Sequence, residues 1–411
     1  MSTAPLSGIR VLDFTHAAAG PFATMFLADM GAEIIKIERP RYGDGARSMG
    51  SPMPGFPKRN SDYYLSLNRN KRGVVLDLAT PAGAELALDL ARHCDVVAQN
   101  FRPGVLDRLG LGFDAVSQVR PAVVYCSISA FGDEGPWRGR PANDIIMQSV
   151  SGLMGITGEV GGGPVRIGAP VSDYSTGLFA LSGILAALLA RDAHPEGQHV
   201  RVSMLEASLN VMCNYIPAVA GLGQQIPRLG RAHAQIVPYQ AFECSDGEYL
   251  MVGAFTRLFW QRLTTVLGHE EWIADERFAT NSARLRNRET LVAELEAIFS
   301  TRTRAEWLEV LDRADVPASP VLELHDAVVS EPVIAAGTIQ TLTDGDRTAR
   351  VVVSPLRVDE WQTPEPRMAP DLGADTRQVL RELLELSDER IDALTADGVV
   401  ASPEPVAGST A

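Results

Sequence analysis

The chain has 411 residues, 45% of them hydrophobic, which suits two domains or one large domain with an insertion around a filled core. Its formal net charge of −14 argues against a nucleic acid or an anionic membrane as partner of the surface as a whole, so an anionic ligand needs a local basic pocket. The four cysteines (Cys94, Cys126, Cys213, Cys244) show no CxxC spacing and read as thiols of a reducing compartment, not as a disulfide frame or zinc site. The opening MSTAPLSG has neither the basic nor the apolar region of a secretion signal, and a cytoplasmic protein is expected.

In chain order, Gly8 to Phe14 reads as a strand, HAAAGPFATMFLADMGAE as a turn and helix, and Ala32 to Glu38 as the next strand. This opening suggests a doubly wound α/β domain, although no GxGxxG is present to imply a dinucleotide. The Gly-, Pro- and Arg-rich segment from Arg39 to Asp62 is expected to be an ordered surface loop. Strands at Gly73–Leu78, Asp95–Ala98, Ala122–Ile128 and His199–Val202 alternate with helices at Pro81–His93 and Asn143–Met154, and a helix at Met204–Met212 follows the last strand. Parallel pairing is the default for such alternation.

The texture changes to glycine, proline and basic residues at Gly221–Tyr239, read as a linker. Tyr239–Glu243 and Tyr249–Gly253 flank an Asp246-Gly247 turn, a strong hairpin signal. Amphipathic helices near 257–267, 287–299 and 303–314 complete a smaller α+β domain. A strand at Val351–Pro355 and a helical region at 376–398 follow. The expected division is a large domain at 1–220, a small one with its linker at 221–330, a returning segment at 331–400 and a disordered tail at 401–411.

The stretch RIGAPVSDYSTGLFALSGILAALLAR, from Arg166 to Arg191, stands out. From Thr176 its leucines and isoleucines recur at three- and four-residue spacings with small residues between, as in a buried helix too short and glycine-broken for a membrane span. Asp173 precedes it. Its ordinary reading is an N-cap; the alternative is a reactive carboxylate at a helix mouth. Basic clusters at Arg39/Arg41/Arg47, Arg69/Lys71/Arg72, Arg102/Arg108 and Arg138/Arg140 fall at or beside strand ends, where an open parallel sheet binds phosphate-bearing ligands. His16 directly follows a strand end, where it can line that cleft or merely pack in a turn. There is no HExxH, GxSxG or P-loop to support zincin, α/β-hydrolase or NTPase chemistry.

Several segments carry a family resemblance: LSGIRVLDFTHAAAGPFATMFLADMGAEIIKIERP, YYLSLNRNKRGVVLDL, VVAQNFRPGVLDRLGLG, ISAFGDEGPW, SGLMGITG, GAPVSDYSTGLFALSGILAALLAR and IVPYQAF. Together they resemble the class III coenzyme A transferases, whose relatives include the α-methylacyl-CoA racemases. The resemblance implies a Rossmann-like open parallel sheet in the large domain, a smaller α+β domain, and a homodimer of interlocked rings. It implies CoA and acyl-CoA as substrates with no tightly bound cofactor, no metal, and a small carboxylic acid as second substrate.

By the same resemblance Asp173 falls on the catalytic aspartate. His16 and Ala17 fall on the loop at the CoA thiol end, and Arg39, Asn70, Lys71, Arg72 and Arg108 on positions holding the adenosine and phosphates. Arg140 matches a further basic position. Racemases carry a base at the place of Asn143, and an amide cannot act as one, so a transferase is expected, with a racemase or epimerase as the alternative. Likeness to dicarboxylate-handling members points to succinyl-CoA or a similar short dicarboxylyl-CoA as donor. Arg47, Arg69, Arg228, Arg231 and His233 are then candidates to meet the distal carboxylate.

Overall fold

A computed structural model describes residues 4–57 and 59–401, so the expected tail, Ala401 apart, lies outside the described residues. They form two compact units. The larger takes the chain up to Ser151, Ile167–Cys213 and everything from Ile334 on; the smaller takes Gly152–Arg166 and Asn214–Val333. The smaller unit thus claims a glycine-rich segment that the sequence reading assigned to the large domain.

In the larger unit, β1 (Arg10–Asp13), β2 (Glu33–Glu38), β3 (Lys71–Leu76), β4 (Val96–Gln99), β5 (Val124–Ser129) and β6 (Gln198–Ser203) pair in the order β3-β2-β1-β4-β5-β6, all parallel. Val11 is level with Ile34 on one side and Val96 on the other. The strands are apolar on both faces because helices cover both. Val11, Ile34, Val96 and Val124 pack with Ala23, Leu27, Ala180 and Ile184 from the helices Ala19–Asp29 and Val171–Ala190. Leu12, Ile35, Val74 and Val97 point the other way, onto the helices Pro81–Arg92, Thr376–Leu384 and Asp388–Ala396.

The helix Val171–Ala190 begins five residues before the expected Thr176 and is 20 residues long. It is long and apolar enough to cross a membrane, so the expectation that its length rules this out does not hold. Packing places it instead. Gly177 lies so close to the Ala19–Asp29 helix that a Cβ there would sit 2.7 Å from the Ala19 carbonyl and 3.0 Å from the Phe22 ring.

The smaller unit holds β7 (Tyr239–Glu243), β8 (Tyr249–Gly253) and β9 (Ala318–Pro320), antiparallel, with Tyr239 opposite Gly253 in the hairpin. The helices Arg257–Leu267, Arg288–Phe299 and Arg304–Arg313 enclose a core that includes Phe242, Leu250, Trp260, Phe299 and Trp307. In the larger unit, β10 (Ile339–Asp344) and β11 (Arg347–Val352) form a hairpin where only one strand near 351 was expected. The C-terminal helical region is two helices, separated at Glu385 by a left-handed residue (φ 53°), and β12 (Val400–Ala401) then pairs antiparallel with β3.

Candidate active site

Helices that join parallel strands run against them, so the amino ends of Ala19–Asp29 and Val171–Ala190 both emerge at the carboxyl edge of the sheet. That edge is where β1 and β4 part and the strand order reverses, the place where open α/β sheets bind ligands. Asp173 and the loop 14–18 meet this edge on neighbouring helices. Gly177 touches Ala19, and Asp173 lies one turn earlier on the same helical face.

Asp173 is not a cap. Pro170 holds the N-cap position without a side-chain bond, and a different residue closes the helix end. Asp144 Oδ1 accepts the Ser172 amide at 2.9 Å and the Asp173 amide at 3.4 Å, while Asp144 Oδ2 takes Gln148 Nε2 at 2.7 Å. Asp144 is itself in the first turn of the helix Asp144–Val150, whose N-cap is Asn143, Oδ1 accepting the Ile146 amide at 3.2 Å. Asn143 is therefore occupied as a cap, and no base stands in its place. The Asp173 carboxylate has no hydrogen-bond partner among the described residues. Burial, and then the charge of Asp144, push its pKa up to about 7. Tyr174 stacks on Phe22 at 4.6 Å, and the Tyr63 phenol is raised to about 12 by burial and by the nearby Tyr174 and Asp173.

The loop 14–18 is held from below. His16 N donates to Asn100 Oδ1 and Asn100 Nδ2 returns a bond to the His16 carbonyl, both at 2.8 Å, bridging the ends of β1 and β4. Ala17 is left-handed (φ 60°), and its amide donates to Asp44 Oδ1 at 2.9 Å. These two amides are thus committed and cannot serve an oxyanion. Burial first, then Lys36, lower the His16 pKa, keeping the ring neutral at pH 7. His16 and Arg39 line one cavity of about 440 Å³ with Phe14, Ile37, Leu76 and Phe101.

Other expected ligand residues are scattered. Arg108 is exposed on a short helix after β4, next to Leu109, which lines the same cavity. Arg140 is exposed, its guanidinium 4.4 Å over the Trp137 ring. Asn70, Lys71 and Arg72 lie at the amino end of β3, the opposite edge from Asp173. Asn70 bonds Asp29, Arg72 bonds Glu33, and Lys71 is sealed inside the protein against Asp13, Thr24 and Asn68. A buried amine so engaged does not meet a phosphate in water.

The segment after Arg39 is no mere surface loop. Arg47 is fully buried on Glu38 and Tyr64, and Arg69 on Asp29, so neither reaches an acyl group. In the smaller unit, Arg228 is tied to the Gly162 and Gly155 carbonyls. Lys36 Nζ bridges Asp44 Oδ2 at 2.9 Å and the Thr15 carbonyl at 2.8 Å. Sequence reasoning named Arg47 only as a ligand contact and did not foresee the buried pairing of Asp13, Lys36, Glu38, Asp44 and Arg47, nor the part played by Asp144. Its signal was available: charges inside the apolar run EIIKIE have to be paired.

Comparisons with known proteins identify the family. Residues 6–376 match the profile of CoA-transferase family III. The succinyl-CoA:glutarate CoA-transferase of Mus musculus is 37% identical over 409 residues, covering 98% of this chain and 92% of the relative. The succinate–glutarate CoA-transferase of Agrobacterium fabrum is 36% identical, covering 92% of this chain and 96% of the relative. The crystal structure of a CAIB/BAIF family protein from Brucella suis superposes with a TM-score of 0.82 at 32% identity, over 93% of this chain and 100% of that one. With a parallel sheet of this order and its carboxylate at the open edge, the chain is an enzyme of CoA-transferase family III.

Proposed function

We propose that this enzyme moves CoA from succinyl-CoA, or a similar short dicarboxylyl-CoA, to a free carboxylic acid through an aspartyl-CoA thioester on Asp173. The observation that carries the reading is a single unbonded carboxylate at the open sheet edge, with a pKa pushed to about 7. Partial withdrawal from water leaves the anion reactive, and no protein donor quenches it.

In the first step an Asp173 oxygen attacks the thioester carbonyl, and the C–S bond breaks to give an acyl-aspartyl anhydride and CoA thiolate. The thiolate attacks the aspartyl carbonyl, releasing the donor acid and leaving aspartyl-CoA. The acceptor carboxylate attacks that thioester, forming a second anhydride and thiolate. The thiolate then takes the acceptor acyl group, and Asp173 returns as a carboxylate. Each step exchanges one acyl bond for another. The protein therefore has to position the groups, exclude water and stabilise the oxyanion.

His16 and Ala17, fixed by Asn100 and Asp44, line the thiol end in this reading, and the cavity beside Arg39 takes the nucleotide end. The dicarboxylate preference is supported by the activities for which the two relatives above are named. A homodimer is supported by an apolar face on the larger unit: Leu178, Phe179 and Leu189 are 49%, 44% and 88% exposed on the Val171–Ala190 helix, with Ile145 and Ile146 also exposed on the helix Asp144–Val150 that packs against it. A cytoplasmic setting accords with four unpaired cysteines.

The test is to incubate the enzyme with succinyl-CoA and trap with borohydride or hydroxylamine. The label should map to the peptide containing Asp173, and Asp173→Ala should bind CoA while losing exchange by several orders of magnitude. Near-normal exchange in that variant refutes the reading.

A further inference from the structure

A second cavity, about 920 Å³, opens beside the first, and both are lined by Arg39 and Asp77. Arg39, Arg41 and Arg59 line it, and two of these arginines flank an exposed tyrosine. Tyr42 is 62% exposed, yet its ring has the Arg39 guanidinium 5.5 Å from its centre and the Arg59 guanidinium at 5.3 Å. Arg41, between Arg39 and Tyr42 in sequence, lines the same cavity from a left-handed backbone (φ 64°), part of the tight turn in which Tyr42 N donates to the Pro40 carbonyl.

Arg39, Arg41 and Arg59 make no ion pair among the described residues. The carboxylate of Asp371, on the same wall, is already taken by Arg347 and Asn60. Arg47, also on the wall, is spent on Glu38. One Arg59 terminal nitrogen is out of solvent with no acceptor among the described residues. A guanidinium N–H that has lost water and gained nothing costs stability, and an anion in the cavity would satisfy it.

Resting on the CoA reading above, we propose that Arg59, held beside Tyr42, and Arg41, on the wall of the same cavity, read the 3′-phosphate of CoA and so set preference for CoA over its dephospho form. With the thiol at Asp173 and the apolar cavity beside His16 taking the middle of the molecule, the phosphate-bearing ribose arrives at the second cavity. A phosphate monoester carries nearly two charges at neutral pH and three terminal oxygens, which suits several converging forks. Cation–ring contacts hold Arg39 and Arg59 in place beforehand, so little side-chain freedom is lost on binding.

Calorimetric titration of CoA and 3′-dephospho-CoA into the full chain tests this, with Arg59→Ala, Arg59→Lys and Arg41→Ala and thermal melts to confirm folding. The wild type should bind CoA more tightly than dephospho-CoA by about a hundredfold, two charge-assisted contacts at about tenfold each. Arg59→Ala and Arg41→Ala should each weaken CoA by about tenfold and leave dephospho-CoA within about twofold; Arg59→Lys should recover part of the loss. Equal weakening of both ligands, or no weakening of CoA, overturns the assignment while leaving the CoA reading intact. A wild type that binds neither ligand overturns both.

Discussion

Asp144 controls Asp173 by position and charge together, and replacing it with Asn separates the two. The amide retains an oxygen to accept the Ser172 and Asp173 amides, but the negative charge goes. Asp144 Oδ1 is 3.4 Å from the Asp173 amide. Placing the carboxyls roughly 6 Å apart, at an effective dielectric constant near 20, gives a repulsion of about 2.8 kcal/mol, or about two pK units, as a ceiling. The rise from 3.8 to about 7 is about three units, and burial is its larger cause, so the share of Asp144 is below half. Asp144→Asn should therefore lower the Asp173 pKa by about one unit, to near 6, rather than restore an ordinary carboxylate.

The assay is kcat/KM for succinyl-CoA against pH from 5 to 9. This ratio reports the ionisation of the unliganded enzyme, and its acidic limb should move down by about one unit. Asn143→Ala, which removes only a cap, should cost about 1 kcal/mol of stability and leave the limb where it is. An acidic limb that stays put in a folded Asp144→Asn enzyme would refute the claim that Asp144 tunes the nucleophile.

Further outcomes follow from the same geometry. Asp173 binds its proton more tightly folded than unfolded, so it costs stability that appears as pH rises from about 4 through 7; Asp173→Asn should raise stability at pH 8 by up to about 4 kcal/mol, read by denaturant titration, and leave it nearly unchanged at pH 3.5. Gly177→Ala should destabilise by about 1–3 kcal/mol through the clash with Ala19 and Phe22, measured by thermal melting. Arg39→Ala should weaken CoA by about tenfold or more at low salt. Lys71→Met should instead lower the melting temperature, by stranding the buried Asp13, with CoA affinity in the folded fraction little changed. The unmodified enzyme should turn over succinyl-CoA well ahead of butyryl-CoA, and equal rates would remove the dicarboxylate proposal.

Much of the sheet was readable from local pattern. Strands apolar on both faces, separated by helical periods, admit few arrangements, and the boundaries of β1 to β8 fall within about two residues of expectation. The β10–β11 hairpin was harder. Its Asp344-Gly345-Asp346 turn is a hairpin signal that was passed over, because apart from the buried Leu342, Ala349 and Val351 its residues are half-buried or exposed and the apolar alternation is weak. The start of the Val171–Ala190 helix was placed late because Val171–Ser175 lacks apolar periodicity. The helix is extended there by Asp144, 29 residues before Asp173, whose carboxylate satisfies its first amides.

From the chain alone came the class of fold, Arg39 and Arg41 of the phosphate site though not Arg59, and, through the family resemblance, the carboxylate worth watching. Those rest on periodicity, composition and motif, which are local. The tertiary structure decided which charges face a ligand and which are consumed inside. Lys36, Arg47, Arg69 and Lys71 look in sequence no different from Arg39, Arg41 or Arg59, yet the first four are buried on carboxylates and the other three are not. The reason is physical: a charge cannot be buried without its partner, and the partners here lie 8, 9, 40 and 58 residues away. Only the folded sheet brings them together.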